Sequence, residues 1–157
     1  DMPGAHAGMA LVYDLEGKHK EAEPHHRNAV RLAPQVHRYR NNLGFSLYLQ
    51  GRIDEAVLAY EEAIRLNPNA SIAFVNLGFA LAAKGSDKEA LRAFEQVLKP
   101  GQALNNLAIA HELKGNAGSA GRLYGEALEV EPGLSEALEN LEALEAQGSP
   151  VKEESLP

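Results

Sequence analysis

VHRYRNNLGFSLYLQGRIDEAVLAYEEAIRLNP, residues 36–68, holds two helical periods separated by a single glycine. Tyr39, Leu43 and Leu47 recur at four-residue spacing and make one stripe of a first helix. Gly51 then supplies the residue that most readily takes the left-handed conformation ending a helix. Ala56, Tyr60, Ala63 and Ile64 fall at the spacing of a second helix. That helix stops before Asn67-Pro68, because proline lacks an amide hydrogen and restricts the residue before it. The stretch predicts two antiparallel helices, 36–50 and 52–66. Gly44 in the first costs about 1 kcal/mol relative to alanine, which implies close approach of the two helices, with Ala56 as the small residue opposite.

The same cassette continues in both directions. Downstream it reads Leu77-Gly78, Gly85, Ala90, Phe94 and Val97, then Leu107-Ala108, Gly115, Ala120, Tyr124, Ala127 and Pro132. Upstream a weaker copy reads Met9-Ala10, Gly17, Ala22, His26, Ala29 and Pro34. Ala22, Ala56, Ala90 and Ala120 are spaced 34, 34 and 30 residues apart. A period of this length marks an array in which each unit buries its apolar face only against its neighbours. One repeat is too small to bury a core alone, so a single elongated all-α domain is expected over residues 3–147. It comprises helical pairs at 3–36, 37–70, 71–100 and 101–134 and a capping helix at 135–147.

Departures from the pattern carry their own expectations. Four residues are missing between Ala90 and Ala120, and Pro100 arrives ten residues after its alanine where the other units have twelve. The second helix of repeat three and its connection are therefore read as shortened, with altered stacking onto repeat four. Ser86-Asp87-Lys88-Glu89 reads as a capping box. Gly4 and Gly8 weaken the first helix and Pro24 is expected to kink the second, so that end is expected to fray. Gly118, Gly121 and Gly125 lower the stability of the helix that carries them, or form a small-residue face open to a close partner. In the capping helix Leu138, Leu141 and Leu144 lie on one side and Glu136, Glu139, Glu142 and Glu145 on the other. Residues 148–157 are too polar and Gly/Pro-rich to order and are read as a disordered tail.

This cassette of Leu-Gly, a small residue, an aromatic and a terminal Pro resembles the tetratricopeptide repeat over about residues 3–134. The resemblance implies a right-handed α-α superhelix whose first helices line a concave groove. It also implies that the residues two before and one after the glycine of the Leu-Gly pair face that groove. Asn42, Asn76, Asn106 and Asn140 occupy the first position, and Phe45, Phe79 and Ile109 the second. An asparagine amide offers two donors and an acceptor, so a row of them suits an extended peptide backbone; the same amides can instead bond neighbouring helices. With Tyr48, Leu49 and Leu113 the second set makes an apolar channel edged by asparagines, unless Phe45 and Phe79 pack against adjacent repeats. Arg38 and Arg40 flank it and suit a carboxylate on a partner. Family members that grip acidic C-termini use a clamp of lysines and asparagines, whereas apolar residues stand at these positions here. The phrases NNLGFSLYLQGR and NNLAIAHELKGN are also similar to bacterial tetratricopeptide proteins that help assemble pili or secretion machines.

Composition bounds the function. Hydrophobic residues make up 45% and charged residues 24% of the 157, a globular mix. No apolar run approaches the roughly 18 residues needed to span a bilayer. The chain begins with Asp1, which reads as an excised or processed piece. With no cysteine there is neither a disulfide nor a thiolate site. Of the net charge of −7, the segment Glu126–Pro157 carries −8 from nine glutamates and one lysine, a solvated cap. The chain lacks a net basic patch for nucleic acid.

Chemical motifs are few. His19, Glu23 and His26 share a helical face at zinc-compatible spacing, but His26 holds the aromatic packing position and Pro24 interrupts the presenting helix, so no metal or other cofactor is assigned. No phosphate-binding glycine loop, nucleophile elbow or zinc-protease motif occurs. The expected function is a non-enzymatic module that binds a protein segment in its groove. The alternatives are self-association through Phe45 and Phe79, and regulation of a larger enzyme.

Overall fold

The computed structural model describes residues 2–148. Among the described residues there are nine α-helices and no strand. They are α1 (Pro3–Leu15), α2 (His19–Leu32), α3 (His37–Leu49), α4 (Ile53–Leu66), α5 (Ser71–Lys84), α6 (Asp87–Glu95), α7 (Pro100–Leu113), α8 (Ala117–Val130) and α9 (Ser135–Gly148). The fold is an all-α helical repeat. The chain divides between Val97 and Leu98 into two compact units, the first holding α1–α6 and the second α7–α9. Of the expected tail, Gly148 closes α9 and residues 149–157 lie outside the described residues.

Each helical pair turns at the predicted glycine. Gly17, Gly51, Gly85 and Gly115 have φ of 72°, 75°, 88° and 77°, the left-handed region. At each, the glycine N–H donates to the carbonyl three residues back and the next N–H to the carbonyl five back, as in Gly51 to Tyr48 (2.9 Å) and Arg52 to Leu47 (3.0 Å). This is the Schellman closure, which satisfies carbonyls the helix end leaves open.

Sequence-paired alanines and rings form the cores. Ala22, Ala56, Ala90 and Ala120 are fully buried, as are His26, Tyr60, Phe94 and Tyr124 one turn later. In the first unit Leu43, Leu47, Tyr60, Leu77, Ala80 and Ala93 cluster together. In the second, Ala108, Ala120 and Tyr124 pack with Ile109, Leu123, Leu141 and Leu144. Full burial of one such apolar side chain contributes about 1.5–3 kcal/mol relative to leaving it exposed.

Several local expectations are corrected. The residue opposite Gly44 is the Tyr60 ring, not Ala56: a Cβ on Gly44 would lie 2.8 Å from Tyr60 Cε1, and one on Gly78 would fall on the Phe94 ring. The close approach is of backbone to ring. Ser86 precedes α6 but its side chain makes no capping bond. Pro100 does not terminate repeat three; it starts α7, where its missing N–H costs nothing and its fixed φ suits the first turn. Lys99 N–H donates to Gln102 Oε1 there at 3.3 Å. α6 is short as expected, nine residues against fourteen in α4. α2 runs unbroken through Pro24. In α9, Leu138 is exposed, and Ala137 with Leu141 and Leu144 faces the core instead. Gly121 meets Leu144 at ordinary contact distance, while Gly118 and Gly125 face open space.

Candidate functional site

In the first unit the helices α1, α3 and α5 line two adjoining cavities. The larger, about 670 Å³, runs between the N-terminal halves of the three helices, with Gly4 and Gly8 from α1, Arg38 and Asn42 from α3, and Ser71 and Ile72 from α5 among its lining. The smaller, about 350 Å³, continues along them past Leu11, Leu15, Asn42, Phe45, Ile72 and Asn76. Leu11, Asn41, Asn42 and Ile72 line both, so together they form one groove. Its apolar part is open: Leu11 is 46%, Phe45 43% and Ile72 70% exposed.

Asparagine amides cross the groove as a relay. Asn76 Nδ2 donates to Asn41 Oδ1 at 3.0 Å, and Asn41 Nδ2 to Asn42 Oδ1 at 3.4 Å. The second unit repeats the first link: Asn140 Nδ2 donates to Asn105 Oδ1 at 3.1 Å. There a small cleft of about 160 Å³ is lined by Gln102, Asn105, Asn106 and Leu134. The second asparagine of the NN pair is the one predicted to face a groove, and the first is the one that ties the helices. Each bonded amide keeps free hydrogen-bonding capacity, because Asn76 uses one of its two N–H groups and Asn42 uses only its oxygen.

The predicted residues separate into two groups. Arg38, Asn42, Phe45 and Asn76 line the groove of the first unit, and Asn106 lines the cleft of the second. Tyr48 packs against the Leu43/Leu47 core. Phe79 lies edge-on to Phe94, ring centroids 5.2 Å apart. Ile109 packs on Ala108 and Tyr124, and Leu113 is 73% exposed near the end of α7. Arg40 forms an ion pair with Glu62 at 3.4 Å, whereas Arg38 is exposed. Leu11, Leu15 and Ile72 were not singled out from the sequence. The signal for Leu11 was its place one residue after Ala10, the position of Phe45 after Gly44, masked by the weak first cassette.

The histidines assemble differently from the metal-ligand reading. Asp14, not Glu23, joins the pair: its Oδ2 lies 2.7 Å from His26 Nε2 and its Oδ1 2.9 Å from His19 Nδ1. Ser46 Oγ also donates to Asp14 Oδ1 at 2.9 Å. Ser46 is fully buried and bonded to the carboxylate rather than to an imidazole, which is the wrong order for a nucleophile activated by histidine. Glu23 instead meets Arg52 at 2.6 Å and Arg27 at 2.7 Å. Burial pushes the Glu23 carboxyl up, but hydrogen bonds and charge from Arg27 and Arg52 outweigh it and hold it below the usual glutamate range. Among the described residues no group of three or more His, Asp or Glu is placed to hold a metal, and no helix is long and apolar enough to cross a membrane. The fourth repeat mirrors the first: Tyr124 Oη donates to Glu112 Oε2 at 2.8 Å, and Glu112 stands four residues after Ala108 as Asp14 does after Ala10.

One stretch of these glycine-turned helices, from the end of α3 through α5, is matched by a family model. The model described as TPR repeat fits residues 46–85. Residues 46–85 carry a tetratricopeptide repeat, and the described residues fold as an all-α helical repeat solenoid. Solved tetratricopeptide structures share the fold across most of the chain's length. The crystal structure of MamA is 25% identical, with a TM-score of 0.65 over 83% of this chain and 78% of that one. YrrB, described as a TPR protein with an unusual peptide-binding site, is also 25% identical, with a TM-score of 0.65 over 89% of this chain and 74% of that one. MamA 41-end from Desulfovibrio magneticus RS-1 is 18% identical, with a TM-score of 0.68 over 94% and 86%; at that identity the likeness is one of fold. No curated protein matches the sequence.

Proposed function

We propose that this helical repeat chain is an interaction module that holds a segment of a partner protein in the groove of α1, α3 and α5. The observation that carries the reading is the pairing of exposed Leu11, Phe45 and Ile72 with the Asn76–Asn41–Asn42 relay along two adjoining cavities. Apolar side chains of an occupant bury against the first set, while its backbone meets the amide groups left over by the second. The peptide-binding site of the similarly folded YrrB supports this class of function. A scaffold or assembly role follows from it, and a pilus or secretion role rests on the two NNL phrases alone. Asn106 would act likewise in the second unit, where Ile109 is a core residue rather than an anchor. Self-association through Phe45 is the second reading; Phe79 contributes less to it because its ring lies against Phe94.

The test uses peptides selected from a random phage-displayed library on the wild-type chain. Asn76→Ala and Phe45→Asp are expected to weaken their binding about tenfold or more, the cost of a lost polar contact or apolar anchor, with helical circular dichroism unchanged. Selected peptides that bind both variants as tightly as wild type would sink the groove reading.

A further inference from the structure

The larger cavity differs in chemistry from the rest of the groove. Its floor is Gly4, Ala7 and Gly8, and a Cβ built on either glycine meets nothing within 4 Å. That makes the groove wide here, where side chains such as Leu15 and Phe45 fill the other end. At about 670 Å³ it falls within the usual range of ligand pockets, about 300–1,000 Å³. Its rim is polar: among the described lining residues the ionisable ones are Arg38, His37 and Tyr39, and none of them is a carboxylate. His37 Nε2 accepts from Asn67 Nδ2 at 3.2 Å, which directs that ring along the rim. Arg38 is exposed and forms no ion pair with a described residue, unlike Arg40, Arg27 and Arg52. The first turns of α3 and α5 reach the same end, adding the partial positive charge of helix N-termini. Asp14, by contrast, lines the far cavity, with both oxygens already engaged.

We infer that this wide end is a specificity subsite for a partner segment in which a bulky apolar side chain is followed or preceded closely by an acidic residue. The apolar group fills the space over Gly4 and Gly8, and the carboxylate pairs with Arg38. This rests on the groove reading above and adds what the occupant carries: an apolar side chain over Gly4 and Gly8 with an acidic residue beside it on Arg38.

The same library selection separates the two ideas. Peptides enriched on the wild-type chain are expected to share a Phe, Tyr, Trp, Leu or Met within two positions of an Asp or Glu. Measured by fluorescence polarisation, their binding is expected to weaken about tenfold or more in Gly8→Leu, which fills the cavity, and in Arg38→Glu, which reverses its charge. A peptide with its acid changed to lysine is expected to regain binding to Arg38→Glu, an outcome no loss of folding can imitate. Gly8→Leu also replaces a helical glycine facing open space, so its melting temperature is expected to be no lower than wild type. Peptides that lose binding to Asn76→Ala and Phe45→Asp yet bind Gly8→Leu and Arg38→Glu normally would overturn the subsite and leave the groove standing. Failure to enrich any peptide would overturn both.

Discussion

Replacing Gly78 by alanine sets helix propensity against packing, and the structure says which wins. In an open helical position the change is favourable by about 1 kcal/mol, since alanine is the best helix former and glycine among the worst. At Gly78 the new methyl would sit on the Phe94 ring, with Cδ1 only 2.6 Å from it. Phe94 is fully buried and braced edge-on by Phe79, so the ring has no free volume into which to turn. Overpacking of a filled core costs about 1–3 kcal/mol and, against a wall of this kind, the upper half of that range applies. The expected net change is a loss of about 1–2 kcal/mol, the overpacking cost less the propensity gain. Gly118→Ala is the internal control: it is helical with nothing within 4 Å, so it should gain about 0.5–1 kcal/mol. Urea denaturation followed by circular dichroism, with both variants beside wild type, gives the two signs. The steric argument fails if Gly78→Ala raises the midpoint as Gly118→Ala does. A double variant, Gly78→Ala with Phe94→Leu, should lose less than the sum of its single changes, because the smaller side chain relieves the clash.

Two further outcomes follow from polar groups. Asp14→Ala leaves His26, His19 and Ser46 without their common acceptor, and stranding buried donors should cost about 2–3 kcal/mol; Glu16→Ala, nearby and exposed, should change the urea midpoint little. Because the Glu23 carboxyl is held low in the folded chain, its contribution is complete above the ordinary glutamate value near pH 4.3 and is lost as pH falls through the lowered folded value. Thermal melts from pH 6 to about pH 3 should therefore show a shallower acid loss in Arg52→Ala than in wild type, and an unchanged slope would count against the Arg52 contribution.

The fold was legible because its determinants are local and repeated. Left-handed glycine, buried alanine and ring recur at fixed offsets, and one well-formed copy identifies the degenerate ones. The capping box was not legible, since Ser86-Asp87-Lys88-Glu89 has the right composition but capping depends on a rotamer that sequence does not set. Pro100 was misread because proline suits both the end of one helix and the first turn of the next. At the groove, the offset rule marked Asn42, Phe45 and Asn76, which line the two cavities, but it could not distinguish Phe45 from Phe79. That difference lies in a neighbour from another helix: Phe79 lies edge-on to Phe94, while Phe45 is 43% exposed. Asp14 escaped notice for a similar reason: its partners stand 5, 12 and 32 residues away, brought to it by the turn at Gly17 and, for Ser46, by the connection from α2 to α3.

The ring–acid pairs in repeats one and four bear on how such repeats can be exchanged. Asp14 with His26 and Glu112 with Tyr124 occupy equivalent offsets on the two helices of a pair. Repeats two and three place Tyr48 and Ala82 at the acid's position and keep their rings, Tyr60 and Phe94, in apolar surroundings. A crossover at the turn glycine would join a first helix from one class to a second helix from the other. With the first helix of repeat three, His26 would face Ala82 with a buried nitrogen and no acceptor; an acid joined to the second helix of that repeat would face Phe94 with nothing to bond. Whole pairs can be shuffled freely, whereas half pairs can be exchanged only where ring and partner still match, so the helical hairpin is the safer unit of exchange even where the visible sequence similarity is spread over single positions.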